Sequence, residues 1–69
     1  MTKQPHSEFG RRLREARIHQ GHSQRELARL ARISPVYANR LEHGRQMPSI
    51  AVLRRLAKVV EKTIGELVG

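Results

Sequence analysis

Between Ser23 and Gly44 the chain concentrates the side chains that suit contact with a large polyanionic partner. Two serines, Ser23 and Ser34, each stand just before a short amphipathic run, where a hydroxyl can accept a free helix amide. In the second run Ala38 and Leu41 fall on one helical face, leaving Pro35, Val36, Asn39 and Arg40 to face outward. That outer face mixes apolar, polar and cationic groups. Two helices joined by a tight turn, with such a face on the second, can present it to a groove of duplex DNA.

Other chemistries find little support in the residue types. The four histidines are His6, His19, His22 and His43, and they do not make a metal set. His19 and His22 share an i, i+3 spacing, but a helix end falls between them and no acidic partner is near. Cysteine is absent, which removes disulfides and thiolate metal sites. No nucleophile, base and orienting group stand together, so neither an enzyme nor a cofactor is expected.

Length and charge point the same way. A chain of 69 residues holds one small core and has no room for a separate ligand-binding domain, so no small-molecule ligand is expected. Lys and Arg number 14 against 6 acids, for a formal net charge of +8, a balance that favours polyanions. A solvated, arginine-rich surface is the plainer explanation of the same numbers. One Phe and one Tyr are too few to build the aromatic platforms that hold single strands. The polar start lacks a secretory pattern and no stretch is long enough to span a bilayer. The expectation is a cytoplasmic, nucleoid-associated protein with no membrane contact.

The remaining elements must hold the Ser23 to Gly44 run in place. Residues 1–6 are polar, include Pro5, and are expected to form a flexible arm ahead of a single domain at residues 7–69. Ser7 is placed to cap a first helix with Phe9, Leu13 and Ala16 inward, and Gly21 to close it. Ser23 and Glu26 have the spacing of a capping box before a helix from about Gln24 to Ala31. Ile33 would plug the turn. Ser34 caps and Pro35 opens a third helix that reaches about His43 and ends at Gly44. Beyond Pro48, Ser49 caps a fourth helix whose apolar stripe is Ile50, Leu53, Leu56, Ala57 and Val60. Val52 and Val59 form a second stripe that the core does not obviously need. Thr63 and Glu66 box a last short helix carrying Ile64, Leu67 and Val68. No strand pattern appears, so the expected class is all-α with five helices.

Three runs together resemble a known family. They are Leu13-Arg14-Glu15-Ala16-Arg17, Gly21-His22-Ser23-Gln24-Arg25-Glu26-Leu27-Ala28, and Ile33-Ser34-Pro35-Val36-Tyr37-Ala38-Asn39-Arg40-Leu41-Glu42-His43-Gly44. Their order and separation are similar to those of the Xre-type, phage-repressor-like helix-turn-helix proteins. The resemblance implies a compact five-helix, lambda-repressor-like domain in which the second and third helices form the motif. It also implies a homodimer on double-stranded DNA, with the third helix in the major groove of a partly palindromic operator. Half-sites in such complexes lie roughly 34 to 36 Å apart.

Carried over by position, the resemblance makes Pro35, Val36, Asn39 and Arg40 the base-reading face. Arg40 suits guanine because its planar fork matches two acceptors; a solvated charge or a phosphate contact is the plainer role. Val36 suits a thymine methyl, and Asn39 suits adenine or a phosphate. Ser23 and Gln24 fall at a phosphate, as the free amides at a helix N-terminus also favour. Ser34, Tyr37, His43, Gly44 and Arg45 complete the implied phosphate contacts. Arg17 and Glu42 match a salt bridge that links the first helix to the third.

Three positions depart from the family's pattern: His22 and Lys62 stand where aliphatic residues are usual, and Arg32 stands where glycine is usual in the turn. The first two are expected to weaken the core. Arg32 in a left-handed turn would cost roughly 1 kcal/mol, which a contact with the DNA backbone can offset. Val52, Val59, Ile64 and Val68 are the candidates for a dimer surface, or else they complete the monomer's core. The rival function is a protein-interaction module, such as an antitoxin or anti-activator, with a protein partner in place of DNA. Structured RNA is a third possibility.

Overall fold

The computed structural model describes residues 5–69. Five helices follow in order: α1 (Ser7–His19), α2 (Gln24–Ala31), α3 (Pro35–Glu42), α4 (Ile50–Val60) and α5 (Ile64–Val68). The expected arm lies, for residues 1–4, outside the described residues. Around α2 and α3 the other three helices build one core, in which Leu13, Leu27, Leu41, Leu56, Val60 and Leu67 are fully enclosed. Each of those leucines comes from a different helix, so every element is tied to the same centre. No helix is long and apolar enough to cross a membrane among the described residues.

Four helices start as their sequences require. The hydroxyls of Ser23, Ser34, Ser49 and Thr63 each accept the amide three residues on. At α2 and α5 the box is closed reciprocally, since Glu26 and Glu66 accept the amides of Ser23 and Thr63. Helix α1 departs from expectation. Ser7 is its first residue rather than its cap; His6 holds that position and its side chain caps nothing. Tertiary contact takes over there: the His6 amide donates to the Gly44 carbonyl at 3.0 Å. A Cβ on Gly44 would lie 2.5 Å from Ser7 Cα, so the two backbones touch.

Four helices end alike, on a left-handed residue that lets the next amides turn back to the last carbonyls. That residue is Gly21 after α1 (φ 78°), Arg32 after α2 (φ 59°), Gly44 after α3 (φ 71°) and Glu61 after α4 (φ 57°). The Ile33 and Lys62 amides reach Ala28 and Ala57 carbonyls at 2.9 and 3.0 Å. Arg32 takes the conformation expected of it, whereas Glu61 adds a second strained position. Arg55 reinforces the end of α2 by donating from Nε to the Ala31 carbonyl at 2.8 Å.

Packing corrects four expectations. Ile50 is 60% exposed, so the buried stripe of α4 is Leu53, Leu56, Ala57 and Val60 alone. Register places Ile50 near that stripe, but at the first position of the helix it has no covering layer. Val52 and Val59 are not a spare stripe: with Ile64 they are half-buried against the core. Lys62 is exposed and within 4.0 Å of Glu66, so it takes nothing from the core. His22 is half-buried outside the core, its carbonyl accepting from Arg17.

Candidate nucleic-acid interface

Helix α3 is held by its inner face. Ala38 and Leu41 are fully buried, and Glu42 is the one charged residue enclosed among the described residues. Helix α1 comes close enough to reach it: a Cβ on Gly10 would stand 2.5 Å from the Glu42 carbonyl, so only glycine fits there. Two turns along α1, Arg17 meets the Glu42 carboxylate as a fork. Nε donates to Oε2 at 2.6 Å and Nη2 to Oε1 at 3.1 Å, with side chains 13% and 2% exposed. The third guanidinium nitrogen donates to the His22 carbonyl at 3.0 Å. The expected salt bridge is thus present, and it also pins the chain entering α2.

The network continues to the surface. Gln24 donates from Nε2 to Glu42 Oε1 at 3.2 Å, and Asn39 donates from Nδ2 to Gln24 Oε1 at 3.4 Å. A side chain expected at a phosphate therefore has a protein partner for each end of its amide. No short-range signal reveals this link, because Gln24 and Asn39 are 15 residues apart in different helices.

The outer face of α3 is open. Pro35, Asn39 and Arg40 are exposed, and Val36 is 63% exposed. Ser34 opens this helix with its hydroxyl on the Tyr37 amide at 3.0 Å. Tyr37 is half-buried and packs against the core, which places it at the edge of the face. At the far end His43 caps α3, its Nδ1 lying 2.8 Å from the Asn39 carbonyl. Gly44 then turns at φ 71°, and the Arg45 amide donates to the Arg40 carbonyl at 3.1 Å. That bond brings the exposed Arg45 back beside the end of α3. Ser23 opens α2 at the surface, next to Gln24.

Arg32 belongs to a different neighbourhood. With Leu30 it lines a shallow cleft of about 370 Å³ against Arg55, Lys58 and Val59 of α4. The structure thus groups Gln24, Asn39 and the α3 face, with Arg45 at its end, and sets Arg32 beside α4. Of the dimer candidates, Val68 is the most open, at 44% exposed.

Two short capped helices around a left-handed turn, the second braced from inside and bare outside, define a helix-turn-helix. A family model described as Helix-turn-helix matches residues 13–67, and the chain belongs to that family, in its Xre type. Over 50 residues, 72% of this chain, it is 42% identical to the HTH-type transcriptional regulator RamB of Mycobacterium tuberculosis. That stretch is 10% of RamB, so the chain spans about a tenth of the length of the curated relatives it matches. Among solved structures it is similar to the clp gene regulator ClgR from Corynebacterium glutamicum. The TM-score is 0.84 at 31% identity, over 90% of this chain and 66% of that one. It is also similar to the restriction-modification controller protein C.AhdI from Aeromonas hydrophila, with a TM-score of 0.83 at 34% identity, over 88% of this chain and 92% of that one.

Proposed function

We propose that the chain is the DNA-binding unit of a transcriptional regulator, and that it reads duplex DNA with α3 in the major groove. The observation that carries this reading is the open face of α3. A helix whose inner side is locked by a buried ion pair presents Val36, Asn39 and Arg40 outward, with Arg45 at its end. Arg40 serves as the reader of guanine and Val36 as the contact to a thymine methyl. Ser23, Ser34, Tyr37, His43, Gly44 and Arg45 hold the phosphate backbone, and the +8 charge of the chain draws it to DNA. Arg32, beside Arg55 and Lys58, acts at most at the margin of that contact.

The unit works as a homodimer on a partly palindromic site, associating through Val52, Val59, Ile64 and Val68. Val68 offers the most free apolar surface of the four, while the others give their outer edges. The protein works in the cytoplasm, on the nucleoid. The names of the similar proteins, all regulators or a controller, support this reading. The test is a titration of duplex DNA from upstream of the gene, at two salt concentrations, against a scrambled duplex. Tighter binding to the upstream duplex, weakening steeply with salt, is expected. Binding that ignores sequence, or none at low salt, overturns the proposal.

A further inference from the structure

We propose that Glu42 and Gln24 set the polarity of the Asn39 carboxamide and thereby make Asn39 a reader of adenine. The inference rests on the reading above that α3 enters the major groove. It begins from what each group is able to donate or accept. The Glu42 carboxylate, enclosed and paired with Arg17, only accepts. Gln24 is therefore obliged to meet it with its amino end, and does so at 3.2 Å. The Gln24 carbonyl is then turned toward Asn39, and an acceptor selects the Asn39 amino group, 3.4 Å away. What Asn39 has left for a partner is its carbonyl oxygen and one N–H.

Adenine is the base that complements this remainder, with an N6 donor beside an N7 acceptor on its major-groove edge. Guanine and thymine offer acceptors that the remaining N–H can meet but no donor for the carbonyl, and cytosine offers a donor without the neighbouring acceptor, so only adenine engages both groups. A charge buried between α1 and α3 thus decides which base edge is welcome on the outer face, two side chains away. Glu42 and Gln24 act here as positioning residues. In this role Gln24 is tied to the reading of bases as well as lying near the backbone.

Selection of bound sequences from random duplexes, run on the parent, Asn39→Ala and Gln24→Leu, tests the proposal. Asn39→Ala identifies the position in the half-site that Asn39 reads. The parent is expected to enrich adenine there. Gln24→Leu removes both amide bonds at similar side-chain size, and is expected to lower that preference about tenfold while sparing the others. Thermal unfolding of Gln24→Leu checks its fold, and the parent's own preference at that position tests the polarity without any change at Gln24. Three outcomes overturn the proposal while leaving groove reading intact. They are guanine or thymine at the Asn39 position, an Asn39→Ala profile identical to the parent's, and a folded Gln24→Leu that keeps its adenine preference. A parent that enriches no sequence overturns the groove reading and this proposal together.

Discussion

The two faces of α3 are built on opposite terms, although they belong to the same eight residues. Inside, Ala38 and Leu41 are sealed, and both carboxylate oxygens of Glu42 are bound. Outside, Val36 is open and Arg40 forms no ion pair among the described residues. Satisfied polar groups within and uncommitted ones without are what a mount and a probe need. Under the reading proposed above, the difference teaches that what the outer face selects depends on how the inner one is held. Gln24 and Asn39 are where the two meet.

Breaking the inner face should produce the largest effect. Arg17→Met leaves the Glu42 carboxylate, 2% exposed, without its cation. Removing one partner of such a buried pair costs about 3 to 5 kcal/mol. Domains of this size are stable by only about 3 to 10 kcal/mol, so the variant should lose a large share of its stability and unfold at much lower urea. Arg17→Met combined with Glu42→Leu should recover most of the loss, because the pair's desolvation largely cancels its attraction. Urea unfolding of the parent, the single variant and the double variant measures both effects. A loss below about 1 kcal/mol for Arg17→Met would mean that the ion pair is not the brace described here.

The outer face should answer differently, in sequence preference rather than stability. Arg40→Ala is expected to relax selectivity at one position by about 1 to 3 kcal/mol. Arg45→Ala should weaken all duplexes alike and lower the salt slope by about one ion. Binding measured with matched and mismatched duplexes over a range of salt separates the two. Uniform loss in both variants would make Arg40 a backbone contact.

How much of this was legible in the sequence follows from the range of the forces involved. Caps at Ser23, Ser34, Ser49 and Thr63 are contacts over three residues, and all four form as their spacing predicts. The inward faces of α2 and α3 follow from helical period in the same way. Ser7 fails as a cap because Gly44, far along the chain, fixes the start of α1 instead. Ile50 fails as a core residue because period gives a direction but no neighbour. The Arg17–Glu42 pair was reached only through family resemblance, and the Gln24–Asn39 link not at all. Both join helices through side chains whose separation depends on the assembled bundle.

The left-handed helix ends offer a smaller test of whether the two faces are independent. Arg32 and Glu61 both carry side chains at φ near 60°, where glycine is at ease. Arg32→Gly and Glu61→Gly should each stabilise the fold by about 0.5 to 1 kcal/mol, less the entropy that glycine adds to the unfolded chain. Chemical unfolding measures the gain, and duplex binding shows its consequence. Glu61→Gly should leave binding unchanged. Arg32→Gly removes a cation as well, so any loss of affinity it brings should be uniform across sequences and absent at high salt.

The smallest expected effect comes from acid. Glu26 and Glu66 have carboxyls held below the ordinary glutamate value, first by the backbone amides of Ser23 and Thr63 that each accepts. Both side chains are exposed, so the contribution is modest. A carboxyl whose value is lowered by folding adds stability above its unfolded value and loses it as the pH falls through the folded one. Stability should therefore begin to decline below about pH 5 and keep declining until both boxes are protonated. Glutamine can close the same box without titrating. Glu26→Gln with Glu66→Gln should thus show a shallower decline over the same range when unfolding is measured in urea at successive pH values. Because Glu26 opens the helix that carries Gln24, its protonation should also loosen the link to Asn39. Adenine preference should then fall with pH in the parent more than in the double variant. Parallel pH curves for the two proteins would show that these boxes hold the helix starts without their charge.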